Sequence, residues 1–326
     1  MTDKDIIFIT EGGRGIGLGH IMHCIAIAEE LKSLKIRYCF IVNKDNSVSS
    51  ILKRYRFSFK EVKDLTHIGI RIVNKHVIMH SKRDLSSVIK KLQKSYCRIN
   101  LIGNYTKARF LADSNIYPYE HFNPITLGYC GAKSKIYYGV KYFPLRKEFT
   151  GIKPRKRKKH ILVSMGGADP NNLTELVLRA LDMALPEVNF VIVIGKAFKN
   201  NIETIKRRFC LNRNFKIIKE SRNFANLLNQ SYLIITALGI TVYEAAYLGI
   251  PPIVINNYRD DLVKSVELEK LGLCKSLGYY KDVSNKDILE NVRAALSKKD
   301  LFSKDKCFDS CGAKRIISIV TEEQLC

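Results

Sequence analysis

Apolar residues along this chain fall into short runs that alternate between two spacings. Asp5-Ile-Ile-Phe-Ile-Thr10 is a continuous run and reads as a buried strand. Ile21, Cys24, Ile25, Ile27, Ala28 and Leu31 then recur at helical spacing. Strand-like runs return at 38–42, 76–79 and 99–102. Helical patterns occupy 51–57 and 85–92, and Pro118 and Pro124 mark loops. The pattern resets after residue 150. Runs at 161–163, 190–194, 215–218, 232–236 and 253–255 alternate with helical stretches at 173–181, 202–209, 224–228, 241–246 and 261–271. Further helices are expected at 285–296 and 313–319. Such alternation predicts an α/β protein with parallel sheets. At 326 residues the chain should form about two domains. We place them at 1–152 and 153–326, with the boundary in 150–158.

Glycines stand where strand gives way to helix. In Ser164-Met-Gly-Gly-Ala-Asp-Pro-Asn-Asn-Leu173, Gly166 and Gly167 form a tight turn. Asp169 is expected as the N-cap and Pro170 in the first helical turn. Free N–H groups at such a helix start suit a phosphate. An ordinary strand-to-helix connection has the same look. The first domain opens in the same way, with Glu11-Gly-Gly-Arg-Gly-Ile-Gly-Leu-Gly-His20 between the first strand and helix. No Gly-Lys-Ser/Thr closes this loop, so it is not a Walker A motif. No acidic residue ends the strand at 38–42, as a dinucleotide site would require. His20 sits at the helix start, where the dipole favours neutral imidazole, the form a general base needs. His76, His80 and His121 look isolated and read as surface or loop residues.

Composition narrows the partners. There are 55 Lys+Arg against 31 Asp+Glu, a formal charge of +24. This favours an anionic ligand or surface, including peripheral contact with an anionic membrane. The basic residues are dispersed and no RNA-binding signature is present, so nucleic acid is not expected. The run Lys153-Pro-Arg-Lys-Arg-Lys-Lys159 reads as a solvated linker. No stretch approaches the roughly 18 apolar residues of a membrane span, and no signal peptide is recognised. Nine cysteines show no C-x-x-C pair. Cys24, Cys39 and Cys274 are expected buried and reduced, and Cys307 with Cys311 lacks the histidines of a metal set. A cytoplasmic protein without metal or other cofactor is the expectation. The oligomeric state stays open.

Four motifs in order carry a resemblance. They are Gly17-Leu-Gly-His20; Gly139-x-x-Tyr142-x-x-Leu145-Arg146-x-Glu148-Phe149; Ser164-Met-Gly-Gly-Ala-Asp169 with Asn172-Leu173; and Thr241-Val-Tyr-Glu-Ala245 with Gly249-x-Pro251. The chain resembles the UDP-sugar hydrolases of the pseudaminic acid pathway and their spore-coat-polysaccharide relatives. That group is similar to the peptidoglycan N-acetylglucosaminyltransferase. The resemblance implies the GT-B fold, two Rossmann-like domains whose parallel sheets face a cleft that holds the nucleotide-sugar. It implies that His20 activates water. Gly17, Gly19, Gly166, Gly167, Asp169, Leu238, Gly239, Ile240 and Thr241 would surround the phosphates, and Glu244 would bind the ribose. Gly15, His23, Tyr142 and Arg146 would face the sugar. Two positions depart from the family pattern. His80-Ser-Lys-Arg-Asp84 replaces an Asp-x-Tyr-like motif, and His23 stands where an arginine is common. The implied activity is metal-independent hydrolysis of a UDP-linked amino or deoxy sugar, for nonulosonic acid or surface polysaccharide biosynthesis. A GT-B glycosyltransferase and a non-catalytic nucleotide-sugar-binding protein are the alternatives.

Overall fold

The computed structural model describes residues 5–13, 15–119, 128, 133–153, 159–198, 201–221, 223–297 and 309–323. His121, Cys307 and most of the basic linker lie outside them. The chain divides into two compact units, Met1–Thr150 with Phe308–Cys326, and Gly151–Cys307. The C-terminal helix therefore belongs to the first unit, a correction to a second domain running through to residue 326.

In the first unit, β1 (Ile6–Thr10) leads through the glycine loop into α1 (Gly19–Ser33). Then come β2 (Tyr38–Asn43), α2 (Asn46–Tyr55), β3 (Phe59–Val62), β4 (His76–His80), α3 (Ser86–Gln93), β5 (Arg98–Ile102), β6 (Ser114–Tyr117) and β7 (Lys135–Tyr138). All strands pair in parallel, in the order β3-β2-β1-β4-β5-β6-β7. Strands buried on both faces must be apolar throughout, which is why β1 and β4 appear in the sequence as unbroken runs. β6 escaped that pattern because it carries Ser114 and Asn115 in a buried position. The Ser114 hydroxyl and the Asn115 amide N–H groups are satisfied internally. Ser114 donates to Asn100 Oδ1 at 2.7 Å, and Asn115 donates to the Arg109 carbonyl at 2.8 Å.

The second unit repeats the plan. It comprises β8 (His160–Ser164), α4 (Leu173–Leu181), β9 (Phe190–Ile194), α5 (Ile202–Arg208), β10 (Phe215–Lys219), α6 (Phe224–Asn229), β11 (Ser231–Ala237), α7 (Ile240–Tyr247), β12 (Pro252–Asn256), α8 (Asp261–Lys270), β13 (Lys275–Tyr279) and α9 (Asn285–Ser297). Its parallel order is β10-β9-β8-β11-β12-β13. The last helix, α10 (Gly312–Thr321), returns to α1. Ala313, Ile316, Ile317 and Val320 join the core built on Ile21, Ile25 and Phe40.

In each sheet the chain reverses its direction of winding once, between β1 and β4 and between β8 and β11. Helices on either side diverge there and leave a crevice at the carboxyl ends of the strands, where open α/β sheets bind ligands. Both glycine turns stand at such a point.

Candidate functional sites, one in each unit

The loop after β1 is a closed hairpin. Gly13 and Gly17 exchange both backbone hydrogen bonds at 2.9 Å. Asn43 brackets Gly12, accepting from its N–H at 3.0 Å and donating to its carbonyl at 2.9 Å. A Cβ on Gly13 would lie 2.1 Å from Asp45 Oδ2, and the residue has φ +115°, so only glycine fits. Gly15 is exposed. The N–H of Gly17 is occupied inside the hairpin, so Gly17 has no free backbone donor to offer a phosphate. The open donors come one step later. α1 has no side-chain cap and no acid in its first turn. The N–H groups of Gly19, His20 and Ile21 make no backbone hydrogen bond among the described residues.

His20 opens a cluster of three imidazoles. Its ring centroid lies 4.6 Å from that of His80, and His80 stacks on His23 at 5.2 Å with an 8° interplanar angle. His23 Nδ1 and His80 Nε2 share a hydrogen bond at 3.1 Å. Phe143 closes the far side, edge-on to His23 at 5.1 Å. His76 and His80 are both buried, which overturns their reading as surface or loop residues. They begin and end β4, a central strand covered on both faces. The two departures from the family pattern, at 23 and 80, are thus hydrogen-bonded to each other.

Burial holds all three rings neutral. It lowers His20 to about 4, with Glu11 opposing the shift and Lys82 adding to it. Burial, with His20 and Arg146 nearby, lowers His23 to about 3. His80 is pushed well below the ordinary range by burial and by the other two histidines, although the Ile102 backbone favours its charged form. The His20 ring makes no hydrogen bond to a described residue and is only half-buried. It is open to take a proton.

Glu11 was not a candidate from sequence. The available signal was an acidic residue at the end of the first strand, ahead of the glycines. It is 2% exposed. It accepts from Ser81 Oγ at 2.6 Å, Arg83 Nε at 2.8 Å and the Lys82 N–H at 3.2 Å. Tyr142 packs on Tyr137 at 5.9 Å, and its neighbour Phe143 is the one at the histidines. Arg146 pairs with Glu148 and lies 4.8 Å over Phe149.

The second site follows β8 and β11. α4 begins at Leu173, so Pro170 precedes the helix instead of entering its first turn. Asp169 reaches forward, accepting from the N–H of Leu173 at 2.7 Å and of Thr174 at 2.9 Å. A carboxylate already fills that helix end, so a phosphate would be repelled there. Asp169 is thereby the brace of the turn and not a phosphate ligand. The turn itself remains accessible. Gly166 has φ +78°, and the N–H groups of Gly166 and Gly167 make no backbone hydrogen bond among the described residues. Gly195 supports it from behind. A Cβ there would lie 2.2 Å from the Gly166 carbonyl and 2.5 Å from that of Gly167.

α7 presents the uncapped start that α4 lacks. Its N-cap is Gly239, with no side-chain cap and no acid in the first turn. The N–H groups of Gly239, Ile240 and Thr241 are likewise unused by the backbone, and Leu238 to Thr241 are accessible. Glu244, one turn on, is 1% exposed. Among the described residues no group of three His, Cys, Asp or Glu is placed to hold a metal. No described helix is long and apolar enough to cross a membrane.

No family model matches the chain. It is 26% identical over 313 residues to an uncharacterized protein of Methanocaldococcus jannaschii, covering 87% of this chain but 63% of that protein's length. It is 24% identical over 316 residues to a spore coat polysaccharide biosynthesis protein of Bacillus subtilis, covering 88% and 87%. To the UDP-2,4-diacetamido-2,4,6-trideoxy-beta-L-altropyranose hydrolase of Campylobacter jejuni it is 21% identical over 260 residues, covering 74% and 88%. Among solved structures, MurG of Acinetobacter baumannii superposes with a TM-score of 0.66 at 12% identity, covering 98% of this chain and 99% of MurG. A Neisseria meningitidis UDP-GlcNAc 2-epimerase bound to UDP-GlcNAc gives 0.63 at 14%, covering 98% and 100%. The chain has the two-sheet α/β architecture of these GT-B proteins, and its named relatives include enzymes that act on UDP-sugars.

Proposed function

We propose that the protein hydrolyses a UDP-linked amino or deoxy sugar to free sugar and UDP, in the synthesis of a nonulosonic acid or surface polysaccharide. The observation that carries this reading is His20. A neutral, half-buried imidazole without a hydrogen bond to any described residue stands at a helix start whose first three N–H groups are open. The hydrolase among the relatives supports the choice of reaction.

His20 takes a proton from water as the water oxygen attacks the anomeric carbon. The bond from that carbon to the diphosphate breaks, and its electron pair leaves with UDP. A single displacement inverts the anomeric centre. The start of α7 and the Gly166–Gly167 turn supply N–H donors for the charge that gathers on the diphosphate, in place of a metal ion. Glu244 would hold the ribose, and the neutral His23 and His80 would face the sugar side. The excess of basic residues also supports attraction to anionic ligands or a membrane surface.

The test is incubation with a panel of UDP-sugars without acceptor, followed by mass spectrometry. Free sugar plus UDP is expected. An unchanged UDP-sugar that is consumed only when an acceptor is added would replace this reading with the transferase. One that binds and is never consumed would leave a binding protein. His20→Asn should keep UDP affinity within a few-fold and lower turnover by roughly 10²–10⁴. Equal loss of both would make His20 a structural residue.

A further inference from the structure

We propose that Glu11 is the counter-ion that stabilises His20 when its ring takes up a proton, and that Arg83 sets the strength of that support. The proposal rests on His20 as the proton acceptor. It adds a positioning residue that acts through His20 and does not touch the sugar.

The register places the two groups together. Thr10 and His80 are paired at the ends of β1 and β4, and Thr10 Oγ1 donates to the His80 carbonyl at 2.9 Å. Glu11 and Ser81 are the first residues past the ends of the two strands, and the Ser81 hydroxyl donates to the Glu11 carboxylate. His20 lies over the end of β4, its ring against His80. Glu11 and His20 thus both stand at the carboxyl end of β4, and each feels the other's charge.

The donors around Glu11 define its role. Burial alone would raise its carboxyl, but hydrogen bonds from Ser81 and Arg83 hold it below the usual range. The carboxylate stays charged and does not take the proton itself. Arg83 pairs on its other side with Asp64 at 3.7 Å. Charges therefore alternate along Asp64, Arg83, Glu11 and protonated His20. Lys82 opposes the imidazolium, while His23 and His80 meet it as neutral rings. Among the described residues, Glu11 is the carboxylate whose charge acts on His20 in its favour. When water gives up its proton, the imidazolium forms in the field of a carboxylate already fixed by Ser81, Arg83 and the Lys82 N–H.

Opposite signs make the test. Removing Glu11 should weaken the hold on the His20 proton. Removing Arg83 leaves Glu11 less neutralised and should strengthen it wherever the Glu11 carboxylate, followed by its own ¹³C resonance in the same sample, stays ionised. With ¹³C-labelled histidine and glutamate, the His20 resonance is assigned by its loss in His20→Asn, and the protonated fraction is read at pH 5. Glu11→Gln, which keeps the shape and can still accept from Ser81, should lower that fraction about tenfold. Arg83→Gln should raise it several-fold. A shift of both in one direction, as general loosening would produce, overturns the proposal, and so does no shift in Arg83→Gln. Should Glu11→Gln fail to fold, Arg83→Gln alone decides by the same sign. The readout needs no turnover. Opposite shifts without UDP-sugar hydrolysis would uphold the charge coupling of Glu11 to His20 and remove the hydrolase reading. Hydrolysis without the shifts would do the reverse.

Discussion

Lowering the pH should weaken the first unit through its buried histidines, and the size of the effect follows from their environment. His23 is 1% exposed, hydrogen-bonded to another neutral imidazole and lowered to about 3 from an ordinary 6.5. A group whose folded pKa is depressed binds fewer protons folded than unfolded throughout the window between the two values. For a histidine, stability therefore falls as pH drops below 6.5 and goes on falling toward 3. Between pH 7.5 and 5 the single-site relation gives a loss of about 2 kcal/mol for His23 alone. His80 acts in the same direction. Glu29 and Asp169 act in the opposite one, because burial raises their carboxyls. The total slope thus mixes signs, and a double difference isolates the histidine. Urea unfolding followed by circular dichroism at pH 7.5 and 5 should be compared for the natural chain and His23→Gln, which can still donate to His80. The natural chain should lose about 2 kcal/mol more than the variant. Equal losses, within about 0.5 kcal/mol, would refute a neutral buried His23.

Gly195→Ala should force the Gly166–Gly167 turn to move and weaken UDP at least tenfold by calorimetry, while the His20 resonance stays in place. Asp169→Ala should cost the second unit about 1–2 kcal/mol in urea unfolding, since it uncovers two N–H groups at the start of α4. Glu244→Ala should bring UDP and deoxyuridine diphosphate to nearly equal affinity, and a retained preference for the ribose form would remove Glu244 from that role. Turnover should be complete in EDTA, and magnesium-dependent turnover lost on chelation would show that the N–H donors of the two turns are an incomplete phosphate site.

The sequence by itself determined the parts that depend on neighbours along the chain. Strands buried on both faces are continuous apolar runs, so β1, β4, β8, β9 and β11 stood out, and the helices between them announced parallel sheets. Glycine turns are legible for the same local reason, as is a histidine at a helix start. The short strands β3, β6, β7 and β13 were not legible, because they are part-exposed or carry polar residues paired within the fold. Tertiary structure alone decided the chemistry around His20. Glu11 and Ser81 are 70 residues apart, and His23 and His80 are 57 apart. No local pattern links such residues, and a lone histidine in a strand looks alike whether it meets solvent or another imidazole. The same holds for the phosphate that the resemblance set near Asp169, whose carboxylate, placed by its spacing at the helix start, accepts from the Leu173 and Thr174 N–H groups there. It holds again for α10, whose apolar face fits any core and whose membership in the first unit was settled by packing on α1. Chain order fixes which residues can form an element. Which charges and rings then face one another depends on strand register and on the crevice where the winding reverses.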